Sequence, residues 1–398
     1  MKTIIVLLLL QNLIFACTIF DTKNSKDEIL VGRNFDWSKS NAQVNFIPSD
    51  KNRYGVVLLS LENPNMPYEG MNDRGLFVAI SAVPHSKTTL NIFKPIRKSL
   101  EMIKVILQKA STVDEAIEQF DKYSIAFGEF LGNPLIHFKM VQKDGESAVV
   151  EFVNNKRVII RGEKSRVLTN HYLSDLSIET ENKSSLKRYT IVKKNLHGNS
   201  SVQRVFEILK KSRQENTIWS TVYNLTKQEV YFRYRNHHAK FNLKDELYGH
   251  RESFFYSMKN LKEKKTLVEN RSTLQIRPHF GYGTEESKHY GLRVLLNSSD
   301  TQTYGLELTQ FKSKGDEFSA VGIVLEQRLW RWFNMSIGTV GYFNYQDQNV
   351  VGLVSNLGWE PDNHIPFRPF ITYRNDIIFG KDKTDTIHSI SAGFKFKF

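Results

Sequence analysis

From Leu274 to Phe398 apolar side chains recur at every second position, segment after segment, and a two-residue period fits strands rather than helices. The last segment is the plainest case: Ile390, Ala392, Phe394, Phe396 and Phe398 alternate with Ser389, Ser391, Gly393, Lys395 and Lys397. At the start of the region Leu274, Ile276, Phe280 and Tyr282 alternate with Gln275, Arg277 and His279. Similar texture covers Tyr290 to Leu296, Tyr304 to Leu308, Phe318 to Leu325, Phe333 to Tyr345, Val350 to Trp359 and Phe367 to Tyr373. Polar or glycine-containing turns separate these segments. About eight of them, each apolar on one face, predict an all-β antiparallel barrel over residues 272–398.

The other end of the chain reads differently. Residues 1–16 are MKTIIVLLLLQNLIFA, one Lys before a short apolar run that ends in Ala16, the layout of a secretory signal peptide. Ile4 to Leu10 falls far short of the ~20 residues a spanning helix needs, and no other stretch qualifies. Export without a helical anchor is the expectation. Exported chains ordinarily use cysteines in pairs. This one has a single cysteine, Cys17, at the expected cleavage junction. Two chemistries are open there. A lipoprotein peptidase would leave Cys17 lipidated, although Phe15 stands where such a site wants a small residue. Ordinary cleavage after Ala16 would free both the thiol and its own α-amine.

At 398 residues the chain accommodates two domains, and 40% hydrophobic with 24% charged residues is the composition of folded protein. The net charge of +13 invites a nucleic-acid reading, but the basic residues are scattered. The densest run, Lys262 to Lys265, has no aromatics laced through it, so no nucleic-acid partner is expected. From Cys17 to about Asn242, β-rich runs (Ile29 to Gly32, Tyr54 to Leu61, Gly75 to Ala82, Ala148 to Val153, Arg157 to Arg161) mix with helical patterns. Ile96 to Ala110 is amphipathic, and Thr112 with Glu115 makes a capping-box signal for a helix ending near Tyr123. Helices are also expected at Leu186 to Leu196 and Val202 to Lys211, and a hairpin from Trp219 to Leu225 and Glu229 to Tyr234. This mixture predicts a layered α+β domain. Residues 246–271 read as a polar, Lys-rich connector with room for one helix. His237-His238 falls in an expected turn, and the eleven His show no metal-ligand spacing, so no cofactor or metal is expected.

A free thiol with a pKa near about 8.5 is mostly protonated at neutral pH. An N-terminal cysteine carries a remedy, because its α-amine titrates near about 7.7–8.0 and lies within reach of its own side chain. Such a site further needs groups that orient the amine, tune the thiol and receive an oxyanion. Arg33 and Asp36, in Gly32-Arg33-Asn34-Phe35-Asp36-Trp37, follow a strand that would pair with the one starting at Cys17. Asp36 is suited to hold the amine and Arg33 to lower the thiol pKa.

Cys17-Thr18-Ile19-Phe20 followed by Gly32-Arg33-Asn34-Phe35-Asp36 resembles the opening of the choloylglycine hydrolase superfamily of N-terminal-nucleophile hydrolases. That group includes bile salt hydrolases, penicillin V acylases and linear amide hydrolases. Further matches follow in order: Gly70-Met71-Asn72-Asp73-Arg74-Gly75-Leu76, Leu168-Thr169-Asn170, Ser185-Leu186-Lys187-Arg188-Tyr189 and Trp219-Ser220-Thr221-Val222-Tyr223-Asn224-Leu225. The resemblance covers residues 17–245 and implies a four-layer αββα fold. It implies that Cys17 is nucleophile and, through its amine, base, with Arg33 and Asp36 tuning and orienting it. Asn170 would donate to the oxyanion, Arg188 would support the site electrostatically, and the backbone amide of Ala82 would be the second oxyanion donor. Bile salt hydrolases have Asn where Ala82 stands here, so substrate contacts made by that side chain would be lost. Lipidation of Cys17 would acylate the amine such a mechanism needs.

The expected activity is hydrolysis of a non-peptide amide in a small N-acyl compound through a thioester on Cys17. N-acyl amino acids, N-acyl homoserine lactones, penicillin V and fatty amides are the candidates. The barrel segment is similar to small outer-membrane barrels of Gram-negative bacteria in its even strand count, its terminal Phe398 and its aromatics near segment ends (Tyr282, Tyr290, Trp330, Trp332, Tyr345, Trp359, Tyr373). That likeness implies outer-membrane lipid as a partner and a catalytic domain in the periplasm. A soluble β-sandwich or lipocalin-like barrel is the alternative for this segment. For the whole chain it is a surface-anchored binding or adhesion protein with a degenerate hydrolase domain.

Overall fold

The computed structural model describes residues 17–398 except 38–40, 62, 87, 90, 92–93, 128–134, 175–182, 197, 236, 268–273, 298–301, 314–315, 330–331, 361–366, 382 and 398. The expected signal peptide (1–16), Trp330 and Phe398 therefore lie outside the described residues. The chain divides into two compact units, one within residues 17–268 and the other carrying the strands from Leu274 onward.

The first unit stacks two antiparallel sheets. The smaller has six strands in the order Val167–Leu168, β1 (Cys17–Lys23), β2 (Ile29–Asp36), Thr217–Asn224, Glu229–Tyr234 and His237–Asn242. The larger has nine: Lys156–Arg161, Ser147–Val153, Ile136–Val141, Phe77–Ala82, Pro67–Asn72, Val56–Leu61, Ala42–Ile47, Phe254–Ser257 and Asn260–Thr266. Helices α1 (Glu101–Lys109) and α2 (Val113–Lys122) pack on the larger sheet, and α3 (Lys183–Asn195) and α4 (Val202–Lys211) on the smaller. The result is the four-layer αββα arrangement. The central strands of both sheets are largely apolar on both faces, because each packs against a sheet on one side and helices on the other. Ile19, Val31, Phe35 and Tyr223 join Leu59, Met71 and Phe77 in one buried cluster, in which the Phe77 and Tyr223 rings lie 4.8 Å apart. On the opposite face Phe20, Leu30 and Val222 bury against Val192, Val205, Ile208 and Leu209. Gly32 permits that contact: a Cβ there would come within 2.6 Å of Val205 Cγ1. Side chains of this kind contribute about 1.5–3 kcal/mol each when fully buried.

Several local expectations change. The amphipathic stretch Ile96 to Ala110 is helical only from Glu101, because Ile96–Lys98 pairs in parallel with Ser124–Ala126. Glu101 Oε2 accepts the Lys98 amide at 3.1 Å and so closes the helix entry. The Thr112 hydroxyl caps Glu115 N at 3.2 Å as expected, while Glu115 returns its bond to Ser111 N. His237 and His238 sit in a strand and not in a turn, pairing with Tyr234 and Arg233. The polar stretch 246–271 is more than a connector: Phe254–Ser257 and Asn260–Thr266 form a hairpin that extends the nine-stranded sheet beyond Ala42–Ile47. Its lysines conceal the strand because the outer strand of that edge has one solvated face and no neighbour.

The second unit is a closed antiparallel barrel of eight strands: Leu274–Gly283, Lys288–Asn297, Gln302–Ser313, Asp316–Arg328, Phe333–Tyr345, Gln348–Trp359, Phe367–Phe379 and Thr384–Lys397. The last strand returns to the first with Tyr282 opposite Ile390. Its polarity is inverted relative to a water-soluble domain. Ile323 (64% exposed), Leu306, Val351 and Ile390 face outward, while Arg277, Arg293, Glu307, Glu326, Arg374 and Asp376 are buried inside. Each interior charge is met: Arg277 reaches Glu326 at 2.8 Å, Arg293 reaches Glu307 at 2.7 Å, and Arg374 reaches Asp376 at 2.6 Å. Tyr282, Tyr290, Trp332, Trp359 and Tyr373 are exposed on the outside. Tyr345 departs from the expected outer aromatics: it packs beside the interior cluster and its hydroxyl donates to Asp385.

Candidate active site

Cys17 opens β1, directly opposite Phe35 of β2, and is only 2% exposed. Two strand partners therefore bring the rest of the site to it. Arg33 lies two residues before Phe35 and thus on the same face of β2 as Phe35. Its Nη2 stands 3.7 Å from the Cys17 sulfur. Arg33 lies inside β2, not after it, and is held from three sides. Nε pairs with Glu69 Oε2 at 2.7 Å, Nη1 donates to the Tyr68 carbonyl, and the guanidinium lies over the Phe35 ring at 5.3 Å.

The Cys17 nitrogen donates to Asn170 Oδ1 at 2.7 Å. Asn170 follows Val167–Leu168, the strand paired with β1 through Ile19 and Leu168. Arg188 Nη2 donates to the same oxygen at 2.9 Å, which fixes that atom as the amide oxygen. Arg188, on α3, also donates through Nη1 to the Cys17 carbonyl and to Thr18 Oγ1. Asn170 Nδ2 donates to the Ala82 carbonyl at 2.9 Å. Val83 N is bonded to the Leu135 carbonyl across the ladder, so the alternation of an antiparallel pair turns the Ala82 N–H to the other edge. That edge is the one where its carbonyl meets Asn170.

Asp36 ends β2. Its Oδ1 accepts from Thr217 Oγ1, and its Oδ2 is buried without a hydrogen-bond partner among the described residues. Burial pushes the carboxyl up to about 6, against the opposing pull of Thr217 and the Arg188, Arg33 and Arg213 charges. The Asp36 backbone amide donates to the Cys17 sulfur. The structure thus gives the Cys17 nitrogen to Asn170, where the sequence had pointed to Asp36. Arg33 does draw the thiol pKa down, but burial outweighs it and the nearby Asp36 charge adds to the rise. The net direction is upward, contrary to the expectation built on Arg33 alone.

All five expected side chains therefore gather on one strand end. The sequence reading did not anticipate Glu69, which is fully buried and accepts from Trp219, Thr221 and Tyr223 at 3.3, 2.8 and 3.0 Å besides pairing with Arg33. A lone carboxylate directly before the Gly70–Leu76 motif was its only signal. Thr217, Tyr68 and Ser185, whose hydroxyl receives the Asn170 amide at 2.8 Å, were also unanticipated. Behind them His137 bridges Glu151 at 3.2 Å and the Thr169 carbonyl at 2.9 Å, bracing the segment that carries Asn170. Phe35, the residue opposite Cys17, forms an aromatic cluster with Trp37, Tyr68 and Trp219, and Phe35 and Trp219 stack at 4.1 Å. Among the described residues no three His, Cys, Asp or Glu side chains converge as metal ligands.

A penicillin V acylase of Pectobacterium atrosepticum is 26% identical over 132 residues, 30% of this chain and 35% of that protein. The chain thus spans about a third of that curated relative. Among solved structures, a penicillin V acylase from Agrobacterium tumefaciens has 18% identity and a TM-score of 0.49, covering 61% of this chain and 91% of its own. A variant of conjugated bile acid hydrolase from Clostridium perfringens has 17% identity and a TM-score of 0.49, covering 64% and 99%. The family model for acyl-coenzyme A:6-aminopenicillanic acid acyl-transferase matches residues 22–238, more than half of the chain, and the protein therefore belongs to that family.

Proposed function

We propose that this chain is a cysteine N-terminal-nucleophile hydrolase that cleaves a linear, non-peptide amide bond of a small N-acyl compound. One observation carries the reading: the sole cysteine has both reactive atoms engaged by buried side chains from distant segments, nitrogen by Asn170 and sulfur by Arg33. Cleavage after Ala16 turns that nitrogen into an α-amine already 2.7 Å from a fixed acceptor. Because burial keeps the thiol protonated, a base inside the site is required, and the amine is the one in reach. The amine takes the thiol proton, and the sulfur, beside Arg33, attacks the amide carbonyl. The Ala82 N–H and the Asn170 amide receive the oxyanion, and the ammonium passes its proton to the leaving nitrogen. Water, deprotonated by the same amine, then cleaves the thioester and releases the acid. Asp36 Oδ2 is an acceptor suited to the ammonium that processing creates. Arg188 holds Asn170 and the Cys17 carbonyl in place.

The family's description names an acyl transferase, which adds a second reading: the same thioester delivered to an amine in place of water. The barrel supports a tether to outer-membrane lipid, because its exterior is apolar and its charges point inward. The corresponding domains would be 17–268, which includes the hairpin of the stretch expected to be a connector, and 272–398, with the catalytic one in the periplasm. Mass spectrometry of the mature N-terminus, after exposure to a panel of N-acyl substrates with and without an acceptor amine, tests the chemistry. A thioester mass on an N-terminal Cys17 is the expected result; a different N-terminus or a lipid on Cys17 would sink it. Recovery of the protein in the soluble fraction without detergent would remove the tether.

A further inference from the structure

A cavity of the first unit, about 230 Å³, is lined by Phe206, Lys210, Arg213, Trp219, Ser220, Arg233, Arg235 and His238. Five of these eight residues are basic and none is acidic. Several other surface arginines of this unit are matched by carboxylates: Arg161 by Glu146 and Asp114, Arg157 by Asp121, Arg166 by Asp21 and Glu163. Among the described residues, no carboxylate stands at ion-pair distance from Lys210, Arg213, Arg233 or Arg235. Arg233 is pre-positioned, its guanidinium 4.0 Å over the Phe206 ring and its Nη2 on Gln203 Oε1 at 3.3 Å. Arg235 holds its place at a backbone cost, with φ of 53° at the turn between two strands.

The cavity is not the nucleophile's pocket. Ladder register places Asn34, Ser220 and Arg233 in one row, and Asn34 donates to the Leu209 carbonyl of α4, so that row faces the helices. Cys17, Phe35 and Trp219 form the next row, which faces the other sheet. Trp219 is two strands from Cys17, about 10 Å at the usual strand spacing. An anion attached directly to the scissile nitrogen would not reach it.

We propose that this cavity is an anion site that takes a phosphate group. Guanidinium forks bind tetrahedral oxyanions through paired, charge-assisted hydrogen bonds, and several converging cations suit a multiply charged group better than one carboxylate. Its source is either soluble phosphate or a lipid headgroup.

The test uses the full chain in nonionic maltoside micelles, titrated with inorganic phosphate by calorimetry. Saturable binding is expected, more than about tenfold weaker in Arg233→Gln/Arg235→Gln and in the exposed pair Lys210→Gln/Arg213→Gln. It should be unchanged in Lys51→Gln/Lys122→Gln, exposed cations elsewhere in the unit. No saturable binding, or equal loss in all three pairs, overturns the proposal. Competition by micelles doped with phosphatidylglycerol identifies a headgroup as the source, and binding that resists them identifies soluble phosphate. The readout is binding, so the outcome is separate from that of the amidase reading.

Discussion

Replacing Arg33 with Met removes the only cation that contacts Glu69 among the described residues, and both side chains are fully buried. Breaking a buried pair from one side costs about 3–5 kcal/mol, because the remaining charge is left uncompensated. Glu69 limits that cost in two ways. Its Oε1 keeps three donors, Trp219, Thr221 and Tyr223, and burial already pushes its carboxyl up, so it takes a proton once Arg33 is gone. The destabilisation should therefore shrink on acidification. Adding Glu69→Gln, which keeps an acceptor and drops the charge, should restore most of the loss. Hydrogen exchange of peptides spanning 29–36 and 217–224 in the full chain measures it: about 4 kcal/mol is nearly a thousandfold in local opening. Alkylation of Cys17, the one thiol, separates stability from chemistry. Arg33 is the main influence lowering the thiol pKa, so alkylation at fixed pH should slow in the single variant and stay slow in the double. A single-variant cost below about 1 kcal/mol, or a double variant no more stable than the single, would refute the pairing argument.

Activity should fall below about pH 8 as the α-amine protonates and is lost as base, and fall further through about 6, where Asp36 protonates and can no longer hold the ammonium. Stability should move oppositely: the folded carboxyl binds its proton more tightly than the unfolded one near about 3.9, so acidification from 6 towards 4 favours the fold. A pH–rate profile and matched unfolding curves check both, and Asp36→Asn should flatten each. Asn170→Asp keeps an acceptor for the Cys17 nitrogen but loses the donor, so kcat should drop about 10²–10³-fold with little change in KM, read by steady-state kinetics. On the barrel exterior Ile323→Arg should destabilise the membrane-inserted form by about 2–4 kcal/mol, visible as lost heat-modifiable gel mobility. An unchanged mobility would argue against lipid on that face.

The barrel was legible because a two-residue period needs no knowledge of partners: from Ile390 to Phe396 every second residue of the last strand is apolar, and Ile390, Phe394 and Phe396 are exposed on the outside. Cys17 was legible for a different reason, being the single cysteine beside a leader-like stretch. Arg33, Asp36, Asn170 and Arg188 came from ordered motifs, which say that residues belong together without saying how they touch. Contacts were decided by register. The Cys17–Phe35 pairing puts Arg33 near the sulfur, and the Ile19–Leu168 pairing brings in Asn170, with hydrogen bonds over 153 residues of sequence. Glu69 stayed hidden because a buried carboxylate looks like any charged strand residue until its partner is known. The thiol pKa could not be signed from sequence either, since burial and the Arg33 charge act in opposite directions and only the packed structure fixes their balance. Local pattern set the strands and singled out Cys17; long-range packing set the dielectric and the distances on which the chemistry proposed for it depends.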